Sequence, residues 1–162
     1  MTAGGKRESL VFNGEFRQGQ QGMDFPDGWI RIFGHRETSW EWCRGLPEPS
    51  QIVIRQSSGG RAGIIQTAEA IIYTGGARGW EVCVSLSRDQ LPVDAFICLY
   101  PCTEPGQFTV PWQFFFNPGR SPQLFEQSFY VPVNTEALRL EVGLVGHGTL
   151  LISRIAMFRL ES

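Results

Sequence analysis

Two stretches of the chain alternate apolar and polar residues with a period of two, and that period dictates the kind of element they form. In GWEVCVSLSR, Trp80, Val82, Val84 and Leu86 point one way, while Glu81, Cys83, Ser85 and Ser87 point the other. In ALRLEVGLVG, Leu138, Leu140, Val142 and Leu144 oppose Arg139 and Glu141. A helix, with about 3.6 residues per turn, would scatter these sets around its surface; an antiparallel strand with one polar face keeps them apart. Glycine, proline and asparagine cut the remaining chain into pieces of similar length. Candidate strands are Leu10–Phe16, Trp29–Phe33, Ser39–Cys43, Gln51–Arg55, Gly63–Ala68, Ala70–Thr74, Trp80–Leu86, Ala95–Tyr100, Phe108–Phe116, Phe125–Val131, Leu138–Leu144 and Leu150–Phe158. SRDQLPVDAF holds one helical turn at most, because Pro92 interrupts it. Many short strands with frequent turn signals predict a two-sheet sandwich or a barrel.

Composition narrows the class. At 162 residues the chain is one domain by length, with 1–8 expected as a flexible N-terminal segment and 9–162 as the folded unit. An apolar share of 42% and a charged share of 19% argue against disorder and coiled coil. A formal charge of −2 gives no electrostatic reason to bind nucleic acid, which needs clustered Lys and Arg. The N-terminal MTAGGKRESL lacks the apolar core of a secretion signal, and no run of about 18 apolar residues occurs. The sequence as given therefore reads as soluble and cytoplasmic, with no membrane partner, or as extracellular if excised from a longer secreted protein.

Cys43, Cys83, Cys98 and Cys102 show neither CxxC spacing nor histidines at zinc-site distances. Cys98 and Cys102 on one extended strand lie about 13 Å apart, too far to bridge without a bend. Reduced, partly buried thiols are the reading, with Cys83–Cys98 the cross-strand pair to consider in an oxidising environment.

The order of the short motifs carries a resemblance. LVFNGEF, a glycine-rich loop and PDGW open the chain; Gln66, Gly76, Trp80 and Arg88 mark a middle block; Phe129 to Pro132, an L-R-L and a G-x-G close it. Over about residues 9–160 this resembles the galactose-binding-like jelly rolls, especially carbohydrate-binding modules. The resemblance implies an all-β, single-domain jelly-roll sandwich that binds sugar without changing it. Many relatives hold a structural calcium through an acidic residue just after the N-G-x-F phenylalanine and an Asp in the last strand. Here those places read Arg17 and Ser153-Arg154, and Glu15 should face the other side of its strand. A cation at Arg17 would repel calcium, which draws its affinity from carboxylates, so no metal or other cofactor is expected.

Catalytic signals are thin. The two histidines, His35 and His147, both sit beside glycines in turns. The acidic residues Glu41, Glu48, Glu69, Glu81, Asp94, Glu126 and Glu141 show no focus in sequence, and their separation in space is what glycoside hydrolysis would depend on. Aromatic supply stands out instead: five Trp, twelve Phe and three Tyr. Flat rings stack on the C–H face of a pyranose while amide, Arg and carboxylate groups fix its hydroxyls. Trp29 and Trp80 read as core. Trp40 and Trp42 in SWEWCR share a face and serve either the core or a stacking platform. In AFICLYPC, Phe96, Cys98 and Tyr100 oppose Ala95, Ile97 and Leu99; in VPWQFFF, Trp112, Phe114 and Phe116 oppose Gln113 and Phe115. Both faces of these strands are apolar, so a loop, another subunit or a ligand should cover the second one.

The expected function is a non-catalytic module that stacks an oligosaccharide or polysaccharide in a concave sheet face. Its candidate residues are Trp40, Trp42, Tyr73, Arg88, Tyr100, Trp112, Gln113 and Gln127. The alternative is an assembly module on the same fold, with the apolar sheet face forming a homo-oligomer.

Overall fold

The structure, a computed structural model, describes residues 8–20, 22–34, 36–45, 49–57, 59–104, 107–108 and 111–160. The expected N-terminal segment 1–8 lies outside them apart from Glu8, as do His35 and Glu48. The strands are β1 Trp29–Phe33, β2 Thr38–Cys43, β3 Gln51–Gln56, β4 Arg61–Gln66, β5 Ile72–Tyr73, β6 Gly79–Arg88, β7 Asp94–Glu104, β8 Gln107–Phe108, β9 Trp112–Phe116, β10 Gln123–Tyr130, β11 Ala137–Val145 and β12 Gly148–Arg159. Among the described residues the only helical turn is a short 3-10 segment at Ala68–Ala70.

The strands form two antiparallel sheets. A seven-stranded sheet runs β1-β4-β11-β7-β8, with β5 beside the start of β11 and β9 beside β7. A five-stranded sheet runs β10-β6-β12-β3-β2. The period-two sets meet between them: Leu138, Leu140 and Val142 from β11 face Trp80, Val82 and Val84 from β6 in one apolar core. This is a jelly-roll β-sandwich, and the alternation in β6 and β11 is what fixes its inner faces. In β12 the register slips between Ile152 and Arg154, so Ile155 and Met157 return to the core after the bulge.

The opening stretch departs from expectation. Leu10–Phe16 is a series of turns, not a strand. Asn13 and Phe16 take φ of 52° and 58°, outside the extended region that strand pairing uses. The Asn13 side chain closes the loop: its amide donates to Gln18 O (2.8 Å) and Asp27 O (2.9 Å) and its Oδ1 accepts from Gln18 N (2.9 Å). Gly14 follows because Ile155 N donates to its carbonyl at 2.8 Å, and a Cβ there would stand 2.0 Å from Ile155 O. Trp29 then seals the unit, with its indole N–H on Asn13 O (3.2 Å) and Phe16 edge-on to its ring. The turn also reverses the expectation for Glu15. Its carboxylate lies 3.3 Å from Arg17 and 3.9 Å from Arg154, on the same side as both.

The cysteine pair fails for a topological reason. Cys83 lies on β6 and Cys98 on β7, in different sheets and each on the outer side of its own sheet. No cross-strand bond joins them.

Candidate functional site

The outer face of the seven-stranded sheet is built by the residues that alternate away from the core. One row across it reads Ile32, Gly63, Gly143, Phe96 and Phe115; the next reads Ile30, Ile65, Glu141, Cys98 and Gln113. The first row has no side chain at its two central positions. A Cβ at Gly143 would meet Ala62 O at 2.1 Å and the Phe96 ring at 2.8 Å, so the ring lies down over bare backbone. The Arg61 guanidinium rests on Phe96, 4.0 Å above the ring centroid.

Beneath this lies a charged cluster. Glu141 is 0% exposed, yet it accepts from Arg61 Nε at 3.2 Å and from the Tyr100 hydroxyl at 2.5 Å. Arg61 also donates to Cys98 Sγ. A buried carboxylate survives only when it is paired and hydrogen-bonded, and these partners meet that need. Burial works against the charge on Arg61, but Glu141, followed by Cys98 and Tyr100, holds the guanidinium above its ordinary pKa. Burial, then the Glu141 charge, pushes the Cys98 thiol up to about 11 against the opposing pull of Arg61. Tyr100 is raised too, by burial and by the hydrogen bond and charge of Glu141. The cluster therefore ties Arg61 and Tyr100 to one buried carboxylate, with Cys98 held by Arg61.

Above the platform the face is open. Phe115 is 61% exposed, Gln113 is exposed opposite Cys98, and Tyr100 is half-buried beside them. At the far end of β11, Tyr73 is 68% exposed and sits opposite Ala137 on the same side.

The candidate residues fall into two groups. Tyr73, Tyr100 and Gln113 share this outer face. The other five lie elsewhere. Trp40 and Trp42 belong to the five-stranded sheet and pack on the core, with indole N–H groups on Gly63 O (3.0 Å) and Phe16 O (2.8 Å). Trp112 turns inward against Phe129. Arg88 spends its guanidinium on the carbonyls of Pro118, Asp89 and Gln90, pinning two loops. Gln127 sits on β10 opposite Val82, with its amide on Ser128 O. The outer face thus carries phenylalanine, tyrosine and arginine, with the tryptophans away from it. Arg61, which the sequence reading did not single out, also lies here; its only sequence signal is a lone cation heading the apolar run AGII.

Elsewhere, Glu41 pairs with Arg55 at 2.9 Å, and Asp94 accepts from Asn117 at 2.6 Å. His147 lines a shallow surface depression with Glu37 and Arg55. Among the described residues no group of three His, Cys, Asp or Glu is placed to hold a metal. No described helix is long and apolar enough to cross a membrane.

No protein-family model matches the sequence, and no curated protein matches it. Solved structures do resemble the fold. The enzymatically active domain of tailspike protein 4 of bacteriophage CBA120 superposes with a TM-score of 0.69 at 13% identity, over 94% of this chain. This chain spans only 21% of that one. TmCBM61, in complex with beta-1,4-galactotriose, gives 0.65 at 11% identity over 94% of this chain and 99% of its own. The CBM22-1 xylan-binding domain from Paenibacillus barcinonensis Xyn10C gives 0.61 at 9% identity, with 99% of both chains covered. At such identities the likeness is one of fold, and the chain has the jelly-roll fold of carbohydrate-binding modules.

Proposed function

We propose that this protein is a non-catalytic carbohydrate-binding module whose ligand lies on the outer face of the seven-stranded sheet. The observation that carries the reading is the exposed Phe115 ring beside Gln113, with Tyr100 further along the same face, on a platform where the Arg61 guanidinium stands 4.0 Å over Phe96. An exposed aromatic surface with a few fixed polar groups matches a pyranose, apolar on its C–H faces and polar at its rim. Two of the similar structures are named for binding sugar: TmCBM61 holds beta-1,4-galactotriose and the Xyn10C domain is called xylan-binding. Stacking here falls to Phe115 and to Tyr100 and Tyr73, not to tryptophan, because the indoles are engaged with the core. The Arg61–Glu141–Tyr100 bonds keep the platform rigid, so little ordering is needed when a sugar arrives.

Isothermal titration calorimetry against soluble xylo-, gluco- and galacto-oligosaccharides tests this. A saturable isotherm with at least one series, weakened in Phe115→Ala, is expected. Silence from every series, together with a stable dimer by sedimentation, would replace the reading with an assembly face.

A further inference from the structure

The five-stranded sheet ends at β10, and that edge is long and bare. β10 pairs with β6 over eight residues without a slip, while its other side has no partner strand among the described residues. The other edge strands are shorter: β1 and β9 have five residues, β2 six and β8 two. Proteins guard an open edge with lysine, proline, a bulge or a short strand, because every second residue there offers an unpaired N–H and C=O. QLFEQSFY has none of these guards and a single charge, Glu126. The edge is also stiff. Phe125 packs on Phe116 at 4.9 Å between ring centroids, and Phe129 on Trp112 at 6.1 Å. On the outer side of the strand, Leu124 is 50% exposed and Tyr130 70%.

The order of residues says which strand fits. Gln127 is the centre of a pattern that reads alike in both directions: Glu126 and Ser128 flank it, then Phe125 and Phe129, then Leu124 and Tyr130. An antiparallel copy of β10, placed with Gln127 opposite Gln127, sets Phe125 against Phe129 and Leu124 against Tyr130. It also sets the Glu126 carboxylate against the Ser128 hydroxyl, and each pairing occurs twice. Opposed residues share a face, so the phenylalanines meet on the inner side and the leucine–tyrosine pairs on the outer. Moving the axis by one residue destroys the match. With Glu126 at the centre two carboxylates collide and Phe125 meets Gln127; with Ser128 there, Glu126 meets Tyr130. An unrelated peptide has no reason to match this row in reverse; a second copy does so automatically.

We infer that β10 is the seat of a two-fold homodimer, in which it pairs antiparallel with β10 of a second copy about Gln127 and joins two five-stranded sheets into one of ten. The axis stands perpendicular to the joined sheet. Both seven-stranded sheets then lie on the same side of it, and their outer faces stay open. The inference goes beyond the sugar reading and does not depend on it.

Sedimentation equilibrium of the full chain and of two charge variants tests it. The wild type should show a monomer–dimer equilibrium. Ser128→Lys sets an ammonium opposite Glu126 of the second copy, twice per dimer, and should tighten it about fivefold. Adding Glu126→Lys turns both pairs into like charges and should leave the dimer about tenfold weaker than the wild type. Both positions are exposed, and circular dichroism checks that the fold persists. Gln127→Cys is the third arm. Only Gln127 meets its own copy, with Cα atoms about 4.5–5.5 Å apart, a gap that a disulfide spans. Mild oxidation should link that variant into a covalent dimer, with the wild type as the control for its own four cysteines. A monomer at every concentration would overturn the inference. So would a dimer unmoved by either charge variant and not linked through Gln127→Cys, because such a dimer uses another surface.

Discussion

The two outer faces of this sandwich obey different rules. On the five-stranded sheet, Ser39, Glu41, Arg55, Ser85, Glu126 and Ser128 point to solvent, and Glu41 and Arg55 form an exposed ion pair. Around these residues alternation ends in water, as is usual for an outer face, while Cys83, Ala156 and Phe158 form a small buried apolar cluster between them. On the seven-stranded sheet, Phe96, Cys98 and Glu141 also alternate away from the core, yet all three are buried, beneath Arg61 and Tyr100. The five-stranded sheet buries only a small apolar cluster on its back, Cys83, Ala156 and Phe158, whereas the seven-stranded sheet builds a layer there that holds a charged network.

Removing one charge from each face breaks the comparison most sharply. Glu141→Ala strands Arg61 and the Tyr100 hydroxyl, and a broken buried pair costs about 3 kcal/mol or more, trimmed somewhat by the 28% exposure of the Arg61 side chain. For a chain of this size the melting temperature should fall by roughly 6–12 °C in calorimetry. Glu41→Ala removes a pair of similar geometry from the solvated face and should cost at most about 0.5 kcal/mol. Equal losses would mean that the two faces do not differ as described.

The titration of Cys98 gives the next effect. Its folded value of about 11 lies above its ordinary 9.0, so folding favours the protonated thiol. The stability it contributes is complete below pH 9 and is lost as pH rises toward 11, because the unfolded chain gives up its proton first. Denaturant midpoints measured across that window should fall in the wild type and fall less in Cys98→Ala. Iodoacetamide should also modify Cys98 far more slowly than Cys43, which is only half-buried.

Smaller still is the effect of truncating the exposed ring. Phe115→Ala should shift the melting temperature by less than about 2 °C while weakening any sugar ligand about fivefold, the worth of one stacked ring. Added calcium or EDTA should change nothing beyond about 1 °C. Arg17 and Arg154 flank Glu15, and a divalent cation would have to displace both.

Much of this architecture was legible in the chain. Period two in β6 and β11 gave the inner faces, and AFICLYPC with VPWQFFF announced a sheet with two apolar sides. The opening turn was not legible, because LVFNGEF has the composition of a strand. What overrides it is the positive φ of Asn13 and the close approach of Gly14 to Ile155, contacts across the whole length of the chain. The roles of the tryptophans were hidden for a similar reason. Whether Trp40 faces core or solvent depends on which sheet β2 joins, and nothing local decides that. The Glu141 cluster stayed invisible because its partner Arg61 is eighty residues away and meets it only through the pairing of β4 with β11.

The central claim is that sugar binds the doubly layered face and not the solvated one. The direct measurement is affinity electrophoresis of paired variants in gels containing xylan, β-glucan or galactan. Gln113→Ala with Phe115→Ala alters the first face; Glu126→Ala with Ser128→Ala alters the second. Retardation lost in the first pair and kept in the second is the predicted result. Retardation that survives loss of Gln113 and Phe115, or that vanishes with Glu126 and Ser128, would contradict it.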